Sequence, residues 1–204
     1  MRSTAKIISY VFHPLLFATY LVLVLDWFMP RFLLLPPSAN LTFVALVFVM
    51  TFVLPVANLL MFKAFGTLPS LQMEKRQERL IPFTLIAIIY AVVAVMFFYK
   101  VGRNVNFNKV MLIVAALVLA ATVATFFAKV SVHSLAVCGA LGIMIPLNKA
   151  VSDGSLLIPT LVILSLAGIV MSSRLYLNAH TPREVLYGAV IGLAAGFLGM
   201  IFLF

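Results

Sequence analysis

Long apolar segments alternate with short polar ones along almost the whole chain. Seven apolar segments approach the length of roughly 20 residues, within a range of about 17 to 25, that a helix needs to cross a bilayer. They cover about Ile8–Phe28, Leu41–Phe62, Pro82–Tyr99, Val110–Ala128, Val132–Leu147, Leu156–Met171 and Val185–Phe204. None shows strand-like alternation, and only helices or closed barrels satisfy the backbone in lipid, so the pattern predicts transmembrane helices.

The fifth and sixth segments are short for a span. We expect both to extend into their polar flanks, and six spans with one re-entrant segment would also fit the pattern. Composition agrees with a membrane protein, because 65% of the 204 residues are hydrophobic and only 9% are charged, unlike soluble domains. The chain is therefore predicted to be a single all-α integral membrane domain, residues 1–204, with a bundle of six to seven transmembrane helices.

Two features inside the spans predict local helix geometry. His13-Pro14 in the first span is expected to mark a kink, because proline interrupts helical hydrogen bonding. Gly188, Gly192 and Gly196 are spaced by four residues in the last span. This stripe of small residues predicts a close contact with another helix.

Three clusters of polar residues, here called islands 1 to 3, separate the later spans. Island 1 is Glu74–Arg79 before the third span, island 2 is Lys129–Ser134 before the fifth, and island 3 is Ser173–Glu184 before the seventh. Two spans separate each island from the next, so all three emerge on one membrane face, together with the N-terminus. Ionisable residues are costly near a bilayer and indicate function. We therefore expect one shared site.

The basic residues give two answers about orientation. Most Lys and Arg residues lie on the island face, which the positive-inside rule makes cytoplasmic. If the basic residues of the islands serve a site and are set aside, the balance reverses. The formal net charge is +9, but no basic stripe of the nucleic-acid-binding type is present. We expect these charges to meet lipid phosphates or a phosphorylated substrate, and no nucleic acid.

Island 3 has the clearest chemistry. Thr181, Pro182 and Glu184 have the pattern of a helix start, with Thr181 as the N-cap. His180 then lies where free N–H groups and the helix dipole favour an anion. A neutral imidazole there could attack phosphorus, and Glu184, one turn further on, could hold the other ring nitrogen.

Islands 2 and 3 also offer phosphate ligands and an acid. Arg174 provides a planar guanidinium for phosphate oxygens, and Ser173 provides a neutral donor. In island 2, Ser131 is predicted to cap a helix. His133 at the start of that helix has a pKa suited to a general acid.

Island 1 is a short charged segment. Lys75 and Arg79 are four residues apart, so a helix would place both on one face as a clamp for a dianionic phosphate. Pro82 is expected to end the segment and open the third span. Each island taken alone is also explained by helix caps, interfacial histidines and charges that contact headgroups. No histidine or carboxylate group has metal-ligand spacing, so we predict no metal site and no cofactor.

Joined in order, the islands resemble the type 2 phosphatidic acid phosphatase (PAP2) superfamily, membrane lipid phosphatases related to vanadium haloperoxidases. That family carries Lys-x6-Arg-Pro, Pro-Ser-Gly-His and Ser-Arg-x5-His-x3-Asp motifs on one face. The third motif has the family spacing here, with Glu184 in place of the final Asp. The corresponding residues are Ser173, Arg174, His180 and Glu184 for the third motif, Val130-Ser131-Val132-His133 for the second, and Lys75, Arg79 and Pro82, more loosely spaced, for the first.

The resemblance implies a metal-independent phosphatase that hydrolyses a lipid phosphomonoester or pyrophosphate through a phosphohistidine. His180 would be the nucleophile, Glu184 would orient it, and His133 would protonate the leaving group. The implied phosphate ligands are Lys75, Arg79, Ser131, Ser173 and Arg174. We expect a substrate of the phosphatidate, phosphatidylglycerophosphate or polyprenyl pyrophosphate class in a bacterial cytoplasmic membrane. The resemblance favours the periplasmic face for the site.

Replacements in the second motif leave another function open. Val132 adds bulk where the glycine of the family lets backbone amides approach the phosphate closely. The alternative hypothesis is therefore a non-catalytic descendant that binds or moves phospholipid.

Overall fold

Helices form nearly all of the regular structure. The computed structural model describes residues 2–29, 32–35, 37–73, 75–101, 105–151 and 153–204, and no strand occurs in these ranges. The α-helices are α1 (Arg2–Val11), α2 (Phe17–Phe28), α3 (Asn40–Phe48), α4 (Leu54–Ala64), α5 (Arg76–Val101), α6 (Asn106–Phe127), α7 (Val132–Ala150), α8 (Leu157–Tyr176) and α9 (Pro182–Leu203). A 3-10 turn at Pro14–Leu16 separates α1 from α2, and a π-helical turn at Val49–Val53 joins α3 to α4.

Within the described ranges, seven helical segments are long and apolar enough to cross a membrane. They are α1 with α2, α3 with α4, and each of α5 to α9. The all-α polytopic bundle predicted from the sequence is therefore confirmed, and the chain is an integral membrane protein. The fifth and sixth spans reach Ala150 and Tyr176. Both thus extend into their polar flanks, as expected.

Two expectations for island 1 are wrong, as the start of the third span shows. The first residue of this island, Glu74, lies outside the described residues. Pro82 does not open the span, because α5 begins at Arg76 and carries Pro82 inside it. A proline at that position removes one main-chain hydrogen bond near the start of the helix. Lys75 precedes the helix and is exposed, whereas Arg79 is buried. These two residues therefore do not share a helical face.

Helix α7 is the central span. In the most apolar 18-residue stretch of this helix, 67% of the residues are buried inside the protein, the largest share among the described spans. The glycine stripe of α9 packs against it: a Cβ at Gly188 or Gly192 would overlap the main-chain carbonyl oxygen of Ser131 or Leu135. The close contact predicted from the glycine spacing is therefore confirmed, with α7 as the partner.

This contact places the beginnings of α7 and α9 side by side. The main-chain N–H of Ser131 donates a hydrogen bond to the main-chain carbonyl of Glu184 at 3.0 Å. Since islands 2 and 3 end at these two helix starts, the packing of α7 on α9 brings both islands to one place.

Candidate functional site

One cavity of about 990 Å³ is lined by residues from all three islands. Arg79 comes from island 1, Lys129 and His133 from island 2, and Arg174 and His180 from island 3. The structure therefore brings the islands together, as the number of spans between them predicted.

The polar part of the lining is strongly basic. Its basic members are Arg2, Lys6, His13, Arg79, Lys129, His133, Arg174 and His180, which include all 3 histidines of the chain. No carboxylate belongs to the described lining. Such a concentration of one charge sign in a low-dielectric cleft attracts anions.

His180 is held by the first turn of α9. Thr181 Oγ1 accepts a hydrogen bond from the Glu184 N–H at 3.3 Å, and Pro182 is the first helical residue, so the predicted N-cap is confirmed. The Nδ1 atom of His180 lies 2.6 Å from Glu184 Oε2. With the Nδ1–H donating to this carboxylate, Nε2 carries the lone pair. The longer Glu thus reaches the ring, although the PAP2 motif that this segment resembles has Asp.

Burial lowers the pKa of His180 to about 4. The hydrogen bond that His180 donates to Glu184 raises the pKa, and the positive charges of Arg79 and Arg174 lower it further. The His180 side chain is only 2% exposed. The ring is therefore neutral at physiological pH, the state that a nitrogen nucleophile requires.

This lowered pKa predicts that acid destabilises the protein through His180. The unfolded state, with an ordinary pKa near 6.5, binds a proton before the folded state does. Stability is therefore complete above about pH 6.5 and declines as the pH falls towards 4. We expect thermal melting in detergent between pH 7 and 4 to show a steeper decline for the wild type than for His180→Gln. Parallel pH curves would contradict the buried, neutral state of His180.

Lys129 is a site residue to which the sequence assigned no role. Its Nζ lies 3.8 Å from Glu184 Oε2 and donates to the main-chain carbonyl of Ala179 at 3.4 Å. The carboxylate that holds His180 is therefore held in turn by an ammonium group. The signal available in the sequence was that Lys129 is the only Lys or Arg in island 2.

His133 is oriented by the N-terminal helix. Its Nε2 donates to the main-chain carbonyl of Ser9 at 3.1 Å, near the end of α1, where the His13-Pro14 break follows. Its Nδ1 is buried and has no hydrogen-bond partner among the described residues. The His13 ring packs edge-on against the His133 ring, with 5.9 Å between the centroids. His13, expected to mark only a kink, therefore belongs to the site.

The buried Arg79 and the half-buried Arg174 differ in their hydrogen-bond partners. Arg79 donates from Nε to the Met73 carbonyl at 2.8 Å and from Nη1 to the Val130 carbonyl at 3.1 Å. Arg174 Nε is buried and finds no acceptor within the described part of the chain. A buried donor without a partner is costly, and an anion in the cavity would satisfy it.

The other predicted phosphate ligands do not belong to the described lining. The Ser173 hydroxyl donates to the Ile169 carbonyl at 2.8 Å. Ser131 caps α7 as predicted, accepting from the Ser134 N–H at 3.4 Å. Lys75 is exposed ahead of α5. The phosphate-binding roles of Ser173, Ser131 and Lys75 stay predictions.

Below its polar rim the cavity becomes apolar. On α7 the lining runs from Val132 to Ile143, about 16 Å along the helix at a rise of 1.5 Å per residue. The facing walls are hydrophobic as well and include Leu21, Phe52, Ile86, Val114 and Leu117. A molecule with an anionic head and a hydrocarbon chain fits a cavity with a basic rim and an apolar interior.

The described residues include no group of three His, Cys, Asp or Glu side chains placed to hold a metal ion. No protein-family model matches the chain, and no curated protein or solved structure matches it. A functional assignment therefore rests on the geometry of the cavity together with the motif resemblance.

Proposed function

We propose that this protein is a lipid phosphatase that transfers a phosphate from a membrane lipid to His180. The observation that carries the proposal is the His180–Glu184 pair, with 2.6 Å between Nδ1 and Oε2, at a basic cavity with an apolar interior. The basic rim would hold the phosphate while the hydrocarbon chain fills the interior. The motif resemblance to the PAP2 lipid phosphatases supports the same chemistry.

In the first step, His180 Nε2 attacks the phosphorus atom and the bond between phosphorus and the leaving oxygen breaks. The His180 ring becomes positively charged as the P–N bond forms, and Glu184 stabilises that charge through the retained Nδ1–H. His133 in its protonated form donates a proton to the leaving oxygen. Nδ1 is the atom suited to this transfer, because Nε2 is bonded to Ser9.

In the second step, water attacks phosphorus and the P–N bond breaks. His133 Nδ1, now neutral, takes the proton from the attacking water, so both histidines return to their starting states. One water is consumed and one inorganic phosphate is released. The lipid leaves as an alcohol, or as a monophosphate when the substrate is a diphosphate.

The basic residues around His180 match the charge of a phosphate monoester. Arg79, Lys129 and Arg174 contribute three positive charges beside the single negative charge of Glu184. Before the proton on His133 is counted, the net charge of these four groups is +2, which balances a dianionic phosphate. Arg174 Nε would acquire the acceptor that it otherwise lacks, in a charge-assisted hydrogen bond.

One observation favours the alternative, a protein that binds phospholipid without hydrolysing it. Val132 lines the cavity at the position where the family motif has glycine, and its bulk limits the approach of phosphate to the backbone. Lipid binding without turnover is the expected behaviour in that case.

Phosphate release tests the proposal. Detergent-purified protein would be incubated with a panel of lipid monophosphates and diphosphates in the presence of chelator, beside His180→Gln. We expect release from at least one lipid by the wild type alone. Folded wild-type protein that binds these lipids and releases no phosphate would favour the alternative function.

The reach of Glu184 makes a separate prediction. Glu184→Asp retracts the carboxylate from His180 Nδ1 by about one bond length, and a misplacement of about 1 Å costs roughly a hundredfold in rate. We expect kcat to fall by that order with little change in KM. Glu78→Asp, the same shortening in the first turn of α5, is the matched control and should keep wild-type activity. A Glu184→Asp enzyme with wild-type kcat would show that catalysis does not depend on the distance between the Glu184 carboxylate and His180 Nδ1.

A further inference from the structure

The cavity extends to the same depth along two helices that start beside the islands. Its lining follows α5 from Arg79 to Tyr90 and α7 from Val132 to Ile143. On each helix the two ends are eleven residues apart, which is about 16 Å at a rise of 1.5 Å per residue. The agreement between the two helices defines a depth for the cavity below its basic rim.

The far end of the cavity is closed. The lining residues farthest from the islands on α2, α5, α6 and α7 are all buried, and they are here called the floor: Leu21, Tyr90, Val114 and Ile143. Beyond the floor the same four helices contribute buried residues to the hydrophobic core, including Leu25, Phe97, Phe107, Met111 and Leu147. A close-packed core leaves no space for a hydrocarbon chain, so the cavity is blind at this end.

Tyr90 is fixed at the floor by the break between α3 and α4. Its hydroxyl donates to the main-chain carbonyl of Thr51 at 2.8 Å. Pro55, four residues after Thr51, has no N–H to donate to that carbonyl. Moving the Tyr90 ring aside would break this buried hydrogen bond, which is costly. The floor is therefore tied to the second span as well.

The upper wall differs from the deep wall. Tyr10 on α1 and Leu60 on α4 line the cavity and are exposed. The upper part of the cavity is therefore continuous with the outer surface, where a lipid can enter from the bilayer. A hydrocarbon chain that points inward from there meets the closed floor.

The depth of the cavity matches one leaflet of a bilayer. The hydrocarbon core of a bilayer is about 30 Å thick, so one leaflet is about 15 Å. The acyl chains of ordinary membrane phospholipids have this reach. A polyprenyl chain is far longer and would not fit between the rim and the floor.

We propose that the floor, formed by Leu21, Tyr90, Val114 and Ile143, limits the substrate to a lipid whose hydrocarbon chain spans about one leaflet. This inference rests on the proposed function and narrows its substrate class. Among the expected substrates it selects phosphatidate and phosphatidylglycerophosphate, and it excludes polyprenyl pyrophosphate.

A chain-length profile of binding tests the floor. His180→Gln protein in neutral detergent would be mixed with equal amounts of straight-chain alkyl phosphates from octyl to docosyl. Mass spectrometry would compare the lipids bound to the protein with those left in the micelles. We expect the bound fraction to fall at least about tenfold, the equivalent of roughly 1.4 kcal/mol, once the hydrocarbon chain exceeds the depth of the cavity. A profile that stays flat up to docosyl phosphate would overturn the proposal.

Two substitutions should move this length limit in opposite directions. Ala140 lines the cavity three residues before Ile143, so Ala140→Leu raises the floor by about 4.5 Å and shifts the limit to shorter chains. Ile143→Ala lowers the floor and shifts the limit to longer chains. Ala140→Leu adds its side chain to empty space, so it tests the floor even if Ile143→Ala fails to fold.

Ala91→Leu and Ile145→Ala are the matched controls for these substitutions. Both residues are exposed on the same two helices that define the depth, and neither belongs to the described lining. We expect both control variants to keep the wild-type limit. A limit that Ala140→Leu leaves in place, or that the controls move equally, would refute the floor.

Phosphate release separates this inference from the proposed catalysis. Wild-type protein would be assayed with the same alkyl phosphates and with a polyprenyl phosphate, and we expect kcat/KM to follow the limit found in binding. If Ala140→Leu moves the binding limit while no lipid releases phosphate, the floor stands and the phosphatase proposal fails. Release from polyprenyl phosphate as efficient as from dodecyl phosphate would show that long chains leave through the open upper wall, and would overturn the floor.

Discussion

Replacing His180 with Gln is expected to lower kcat/KM for phosphate release at least about a thousandfold, which corresponds to roughly 4 kcal/mol of transition-state stabilisation. Glutamine has no nucleophilic nitrogen, so the covalent step is lost. Its amide still donates to Glu184, which preserves the first turn of α9. The measurement is phosphate release from the most active lipid by wild-type and variant protein with equal melting temperatures.

His13→Gln provides the contrast for this experiment. It removes a second imidazole from the same cavity, but no proposed step uses a nitrogen of His13. We expect a loss below about tenfold, through looser packing of His133. If both substitutions abolished activity to the same degree, the cavity would need imidazoles for its structure, and the assignment of His180 as nucleophile would lose its support.

Gly192→Ala is expected to destabilise the protein by about 3 kcal/mol, at the upper end of what overpacking costs. Its new Cβ would overlap the main-chain carbonyl of Leu135, and a main-chain atom inside a helix has no other rotamer to adopt. Relief requires α9 to move away from α7. Since Ser131 and Glu184 are joined across this contact, activity should fall together with the melting temperature in detergent.

Gly168→Ala is the matched control. Gly168 lies inside α8, and a Cβ there meets no atom within 4 Å. Alanine favours a helix over glycine by roughly 1 kcal/mol, so the melting temperature should stay level or rise. Equal melting temperatures for Gly192→Ala and Gly168→Ala would show that the close α7–α9 contact does not stabilise the fold.

Local and periodic features of the chain were predictable from sequence. Span number, the caps at Ser131 and Thr181 and the glycine contact of α9 each depend on neighbours within one or two helical turns, or on the apolar length needed to cross lipid. The shared face of the islands follows from counting spans. For these reasons the cluster of His180, Glu184 and Arg174 could be anticipated.

Features that depend on tertiary contacts could not be read from the sequence. Lys129 reaches Glu184 only because α9 packs against α7. His13 contacts His133 only because the break between α1 and α2 lies against the start of α7. In the sequence, the pair His13-Pro14 indicates no more than a kink. Lys75 was wrongly placed on a helical face with Arg79, because the helix begins one residue later and buries Arg79 alone.

The spacing of His180 and Glu184 in the sequence does not by itself fix the distance between their side chains. An imidazole is oriented by the distance from the carboxylate to its nitrogen, and a Glu at the position of an Asp changes that distance only if the backbone stays fixed. Here Glu184 meets Nδ1 of His180 at hydrogen-bond distance. The substitution is therefore compatible with an oriented nucleophile.

Trapping the covalent intermediate tests the central claim most directly. Wild-type protein would be mixed with a lipid labelled with ³²P in its terminal phosphate, in the presence of chelator, and quenched during turnover. We expect protein-bound label that is stable to alkali, labile to acid and absent from His180→Gln. Turnover without any labelled wild-type protein, or label that persists in His180→Gln, would contradict a phosphohistidine at His180.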